Sequence, residues 1–281
     1  MPIPPFAFLS PYGWNVLVKE ISTSFLIYSY TVPAIVAIAF GVFLFVKTKK
    51  MSSFYLFLIC LCFSIYSILD LLAWTPTPAW GIQIFSWSIL DLFCTSFFIL
   101  SYWFLYAFIK ERDLPYWQKI ITGVALVPTL IITATSANLN SYSVPVISAI
   151  ENLNVTRYLS WIHVLLIVLA ALFTIKEYIK AEDRSIKNKI ALAGTGVFIF
   201  LFTFNAVVQL IDFVMQTNLF GLGATAYIYN IDSYSLFGMP ILLVFLGYLI
   251  AKYQAFDVKL IKSSTISLII MVLLSIGLFF T

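Results

Sequence analysis

Apolar runs of about 20 residues recur along the whole chain, and this one feature leaves few folds open. A helix of that length spans a hydrocarbon core of roughly 30 Å, and in lipid each backbone N–H and C=O must find its partner within the segment. Barrel strands would instead alternate in polarity over about ten residues, and that alternation is absent. At 62% hydrophobic and 10% charged residues, the sequence lies outside the range of soluble domains. The pattern predicts an all-α membrane protein.

The spans are predicted at about Phe25–Val46, Ser52–Trp74, Gln83–Ile109, Ile120–Ala137, Tyr158–Ile175, Ile190–Met215 and Ser235–Ala251, with an eighth run at Ser264–Phe280. The organisation expected is an outer N-terminal segment (1–24), a seven-helix bundle (25–251), a cytoplasmic basic-aromatic connector (252–263) and an eighth transmembrane segment (264–281) opening a truncated continuation. Pro33, Pro128 and Pro240 fall within or at the edges of spans, where a proline kinks a helix. The first charge is Lys19, so the N-terminus does not read as a cleaved signal peptide. Cys60, Cys62 and Cys94 lie inside apolar runs and read as packing residues rather than a disulfide framework.

Charge distribution sets the orientation. Fourteen of the sixteen Lys and Arg residues lie on alternate connections: Lys47, Lys49 and Lys50, then Lys110, Arg112 and Lys119, then Lys176 to Lys189, and lastly Lys252, Lys259 and Lys262. The positive-inside rule places these in the cytoplasm and the N-terminus outside. Only an odd number of spans before Lys252 preserves the alternation, which agrees with seven. Trp14, Trp74, Trp80, Trp87 and Trp161 lie towards the predicted outer face and Trp103 and Trp117 towards the inner, an aromatic belt weighted outward.

Polar residues inside spans are costly, and they mark function or interhelical adhesion. Asp70, Asp91, His163 and Asp212 all fall in the predicted outer half. Asn205, Gln209 and Asp212 share a stripe on the sixth span, as do Ser88, Asp91 and Thr95 on the third. Arg157, Ser160 and His163 open the fifth. The candidate outer pocket is therefore Asp70, Asp91, Thr95, Arg157, His163, Asn205, Gln209 and Asp212. The same groups would also serve as interhelical hydrogen bonds worth about 0.6–2 kcal/mol each, and at this stage both readings stand. A single histidine without partner ligands indicates no metal. No lysine lies deep in the seventh span for a Schiff base, no nucleophile–base constellation appears, and no cofactor or nucleic-acid site is expected.

The stretch SYSLFGMPILLVFLGYLIAKYQAFDVKLI resembles the end of the seven-helix N-terminal sensor region of bacterial histidine kinases, in the form of candidate-phyla bacteria. There a Tyr-x-Ile-x-Lys/Arg-Tyr/Phe segment runs into an aromatic-Asp/Asn-Ile/Val-Lys/Arg-Leu motif. Here these are Tyr248, Ile250, Lys252, Tyr253, then Phe256, Asp257, Val258, Lys259 and Leu260. FFILSYWFLYAFIKERDLPYWQK and IKNKIALAGTGVFIFLF are similar to the same family, so the resemblance covers nearly the whole chain.

The resemblance implies a signal-input module in the bacterial cytoplasmic membrane. Lys252, Tyr253, Phe256, Asp257, Lys259 and Leu260 would form its cytoplasmic coupling segment. The lipid bilayer, a small ligand or membrane cue, a homodimer mate and a cytoplasmic kinase or effector would be its partners. The family's phosphoacceptor histidine and ATP-binding domain are not in this chain, so it is not expected to be an enzyme. The alternatives from other classes are a small-solute or ion transporter with an outward-facing acidic cavity, and a structural anchor.

Overall fold

The structure is a computed structural model and describes residues 23–74, 80–143, 148–217, 236 and 238–253. Its helices are α1 (Thr23–Lys47), α2 (Met51–Trp74), α3 (Trp80–Lys110), α4 (Tyr116–Gly123), α5 (Leu126–Thr135), α6 (Leu153–Lys180), α7 (Arg184–Thr217) and α8 (Gly238–Tyr253). Among the described residues, six helical stretches are long and apolar enough to cross a membrane, Tyr116–Thr135 counting as one of them. The described part of α8 is 16 residues long. The predicted segments 1–22, 254–263 and 264–281 lie outside the described residues.

Two expectations are corrected. The fourth span is not one helix but two, α4 and α5. The break lies one turn before Pro128, which has no N–H to offer the Val124 carbonyl and whose ring would collide with it. Tighter bonds, Ala125 N to Thr122 O and Val127 N to Val124 O, carry the chain across. Nor is the fold wholly helical, because Leu139–Ser143 (β1) and Ser148–Glu151 (β2) pair antiparallel, with an irregularity between Leu139 and Ser141.

Neighbours in sequence pack together from α1 to α3, then α3 packs on α6, α6 on α7, α7 on α8, and α8 returns to α1 to close the ring. The α3 helix also meets α5, α7 and the hairpin. Its apolar stretch is 61% buried, against 17% for Tyr116–Thr135, so α3 is the axis and the α4–α5 segment is peripheral. The middle of the bundle is aromatic. Phe97 on α3 lies 5.3 Å from Phe200 and 5.1 Å from Phe204 on α7, between ring centroids, and Phe63 on α2 meets both edge-on.

Close backbone approach completes the packing. A Cβ built on Gly41 of α1 would lie 2.9 Å from Cys60 Cβ on α2, and one on Gly194 of α7 would collide with the Thr174 side chain on α6. Small residues at such crossings let helices gain dispersion contacts that lipid cannot match.

The basic residues gather at one end. Lys110, closing α3, pairs with Glu177 near the end of α6. Tyr55, in the second turn of α2, donates to Asp113 in the α3–α4 connection (2.6 Å), and Lys119 pairs with the same carboxylate (2.6 Å). Trp103 Nε1 donates to Thr122 Oγ1 (2.8 Å), pinning α4 beside this cluster. The connections 48–50, 111–115 and 181–183 thus share one face of the bundle, as the charge tally requires.

Gly194→Val should overpack the α6–α7 crossing and lower stability by about 1–3 kcal/mol in mixed-micelle unfolding. Gly123→Ala, where no atom lies within 4 Å of the added methyl, should be silent. A second measurement concerns Asp113. Partial burial works against its charge, but hydrogen bonds from Lys119, Tyr55 and the Leu114 amide outweigh that and hold its carboxyl below the ordinary range. Its contribution is therefore complete above about pH 4 and is lost as pH falls through the folded value. An acid titration of unfolding should show that loss in the native chain and not in Asp113→Asn. The pair is exposed, so the amplitude should stay under about 1 kcal/mol.

Candidate functional site

At the end away from the lysines, the polar stripes of α3, α5, α6 and α7 face one another. Each turn of α3 supplies one group: Ser88, then Asp91, then Thr95. Thr95 is fully buried, and its Oγ1 lies 3.0 Å from Nε2 of His163 on α6. Thr129 on α5 donates to the same oxygen at 3.4 Å. The His163 ring stacks on Phe98, with centroids 4.3 Å apart and planes within 15°. One turn earlier on α6, Ser160 donates to Asn205 Oδ1 of α7 (2.9 Å). Thr95, Thr129, Ser160, His163 and Asn205 are all buried, so these bonds form where water does not compete with them.

Asp91 stands one turn above Thr95 and has a different partner. Asn138, which follows α5 and is 4% exposed, donates from Nδ2 to Asp91 Oδ2 (3.0 Å) and to the Trp87 carbonyl (2.9 Å). The Asn138 carbonyl accepts from the Asn152 amide (2.7 Å), which ties the entry to α6 to the same point. The carboxylate thus faces an amide donor rather than a cation. Ser88, a turn further out, donates to the Ile84 carbonyl (2.8 Å), and its oxygen lies within hydrogen-bond distance of Ser136 Oγ (3.0 Å). Ser136 caps α5 in the left-handed region (φ 50°), where a serine is strained.

The predicted pocket is therefore brought together in part. Thr95 and His163 bond directly, and Asn205 joins their helices through Ser160. Asp91 belongs to the adjoining Asn138 contact. Asp70 is buried one turn from the end of α2, and Arg157 is partly buried near the start of α6. Gln209 and Asp212 lie on α7, and their side chains are outside the described residues, as are those of Lys252 and Tyr253 on α8. Phe256, Asp257, Lys259 and Leu260 lie outside the described residues altogether.

Sequence reasoning missed Thr129, Asn138 and Phe98. Thr129 follows Pro128 in an apolar run, Asn138 lies in an unremarkable polar loop, and Phe98 is one of 27 phenylalanines. None carries a local signal, because each gains its role from a residue more than 30 positions away. Among the described residues no group of three His, Cys, Asp or Glu side chains could hold a metal ion.

No protein-family model matches the chain, and no curated protein is significantly similar to it.

The Thr95–His163 contact should appear as a coupling energy of about 0.6–1.7 kcal/mol in a double-mutant cycle of Thr95→Val and His163→Phe, read by unfolding in mixed micelles. Additive effects would show that the two groups do not bond.

Proposed function

We propose that this chain is a membrane signal-input module of the two-component histidine kinase type: a seven-helix bundle, N-terminus outside, in a bacterial cytoplasmic membrane. One observation carries this reading. A buried polar network at the end away from the lysines is continuous, through stacked rings, with the helix that leads to the basic-aromatic segment. His163 stacks on Phe98, Phe98 on Phe97 (5.3 Å), and Phe97 packs on Phe200. The backbone of Phe200 in turn lies against Gly238, the first residue of α8.

Binding of a small ligand or membrane cue near Asp91 and His163 would shift this packed column, because close-packed rings move as discrete arrangements and do not deform smoothly. The α8 helix would pass that shift to Lys252, Tyr253, Phe256, Asp257, Lys259 and Leu260, and from there to a kinase or effector, with a homodimer mate as in the family it resembles. The network is largely neutral, made of hydroxyls, amides and one imidazole, which suits a switch between hydrogen-bonded states better than a pathway for ions.

Reporter fusions after Lys50 and Arg184 should score as cytoplasmic, and fusions after Thr77 and Tyr227 as external; two inversions would overturn the topology. With the chain joined to a kinase half, Asp91→Asn and His163→Gln should change kinase output at least several-fold while leaving membrane insertion intact, since neither substitution adds a buried charge. Unchanged output with lost expression would make these residues structural. Solute-driven uptake into vesicles would favour a transporter instead.

A further inference from the structure

The α3–α6 pair is fastened near both of its ends, by contacts of different kinds. At the far end Thr95 Oγ1 lies 3.0 Å from His163 Nε2, and at the lysine end Lys110 Nζ donates to Glu177 Oε2. The partners stand 68 positions apart in the first contact and 67 in the second. Tyr106 and Phe173, whose rings stack at 5.4 Å, keep the same separation. A constant separation means that α3 and α6 run parallel and hold one register from Thr95 to Lys110, along about 22 Å of helix axis.

These contacts resist a slide of one helix along the other unequally. Phe173 meets Tyr102 edge-on (5.8 Å) and Tyr106 face-on, and ring pairs tolerate centroid separations of about 4.5–7 Å. The Thr95–His163 bond tolerates less, because a helix shift of about 1–2 Å bends or lengthens it out of good geometry. The ion pair resists most. The Glu177 side chain is only 10% exposed and that of Lys110 is 31% exposed. A shielded carboxylate parted from its cation is more strongly disfavoured than a neutral hydrogen bond lost. Ionic pairs of this kind are best attested as devices that fix register.

We propose that Lys110 and Glu177 are positioning residues for the polar network at the other end: their ion pair sets the register of α6 on α3 and thereby holds His163 against Thr95. The proposal deepens the sensor reading and rests on it for its meaning in regulation, because coupling between two sites is reciprocal. A cue that parts His163 from Thr95 strains the Lys110–Glu177 pair, and a change at that pair loosens the His163 contact. This path stays within α3 and α6, whereas the column of rings that leads to α8 leaves α3 towards α7.

His163 is the only histidine in the 281-residue chain, so a full chain grown with 15N-labelled histidine and purified without a histidine tag gives one set of ring signals. Solid-state spectra in liposomes then read its tautomer and hydrogen bond. Lys110→Met and Glu177→Gln should each displace or split those signals, although the substitutions lie about 21 Å along the helices from His163. In the Lys110→Met background the coupling between Thr95→Val and His163→Phe should be lost. Lys119→Met removes a positive charge from the same end but off the α3–α6 pair, and should leave the spectrum unchanged. The exchanged pair, Lys110→Glu with Glu177→Lys, should restore the native signals. If Glu177→Gln does not fold, Lys110→Met carries the comparison alone, since Lys110 is partly exposed. Native signals in the folded variants, an equal displacement in Lys119→Met, or an exchanged pair that leaves the signals displaced would each overturn the proposal. None of these measurements uses kinase output, so a silent kinase fusion would count against the sensor reading and leave the register lock standing.

Discussion

Everything in this bundle hangs on the burial of α3. Lipid is as apolar as the helices it surrounds, so the usual drive to hide hydrophobic surface gives little reason for helices to meet. Shape must supply it. The α3 helix does so by inserting Phe97 among the rings of α2 and α7, and by facing α5, α6 and the hairpin with its remaining sides. Close crossings at Gly41 and Gly194 then bring the outer helix pairs near enough for dispersion to accumulate. The α4–α5 segment shows the converse. Interrupted ahead of Pro128 and mostly lipid-facing, it is held by a few specific anchors, Trp103 to Thr122 at one end and Thr95 to Thr129 nearer the other.

Polarity is divided between the two ends in a way that follows from solvation. Full charges sit at the lysine-rich end, where Lys110–Glu177 and Lys119–Asp113 can remain hydrated in part. The far end is bonded instead through hydroxyls, amides and an imidazole, groups whose burial costs far less than that of ions. Two carboxyls depart from this: Asp70, buried near the end of α2, and Asp91, whose amide partner Asn138 makes the placement tolerable.

How far the sequence could be read varied with the range of the physics. The helices from α1 to α3 and from α6 to α7 follow from apolar run length, because a backbone in lipid has no alternative to satisfying itself locally. The shared end of the lysines follows from charge alternation along the chain. Of the site, Thr95 and His163 were legible as polar residues on apolar faces, and they do meet. The division of α4 from α5 was only half legible, since Pro128 announces a break without placing it. The hairpin after α5 was not legible, because its pairing joins short polar segments with no alternation strong enough to separate them from a loop.

By itself the sequence determined that the chain is a set of apolar helices, where the first three begin and end to within a few residues, and which connections share a charge. These are consequences of local hydrogen bonding and of transfer energies that add residue by residue. Only the tertiary structure decided that α3 is the axis, that Asp91 answers to Asn138 and not to His163, and that Phe98 stacks on the His163 ring. Each of those depends on which faces of distant helices come into register, and that is set by the fit of side-chain shapes across contacts no local pattern encodes.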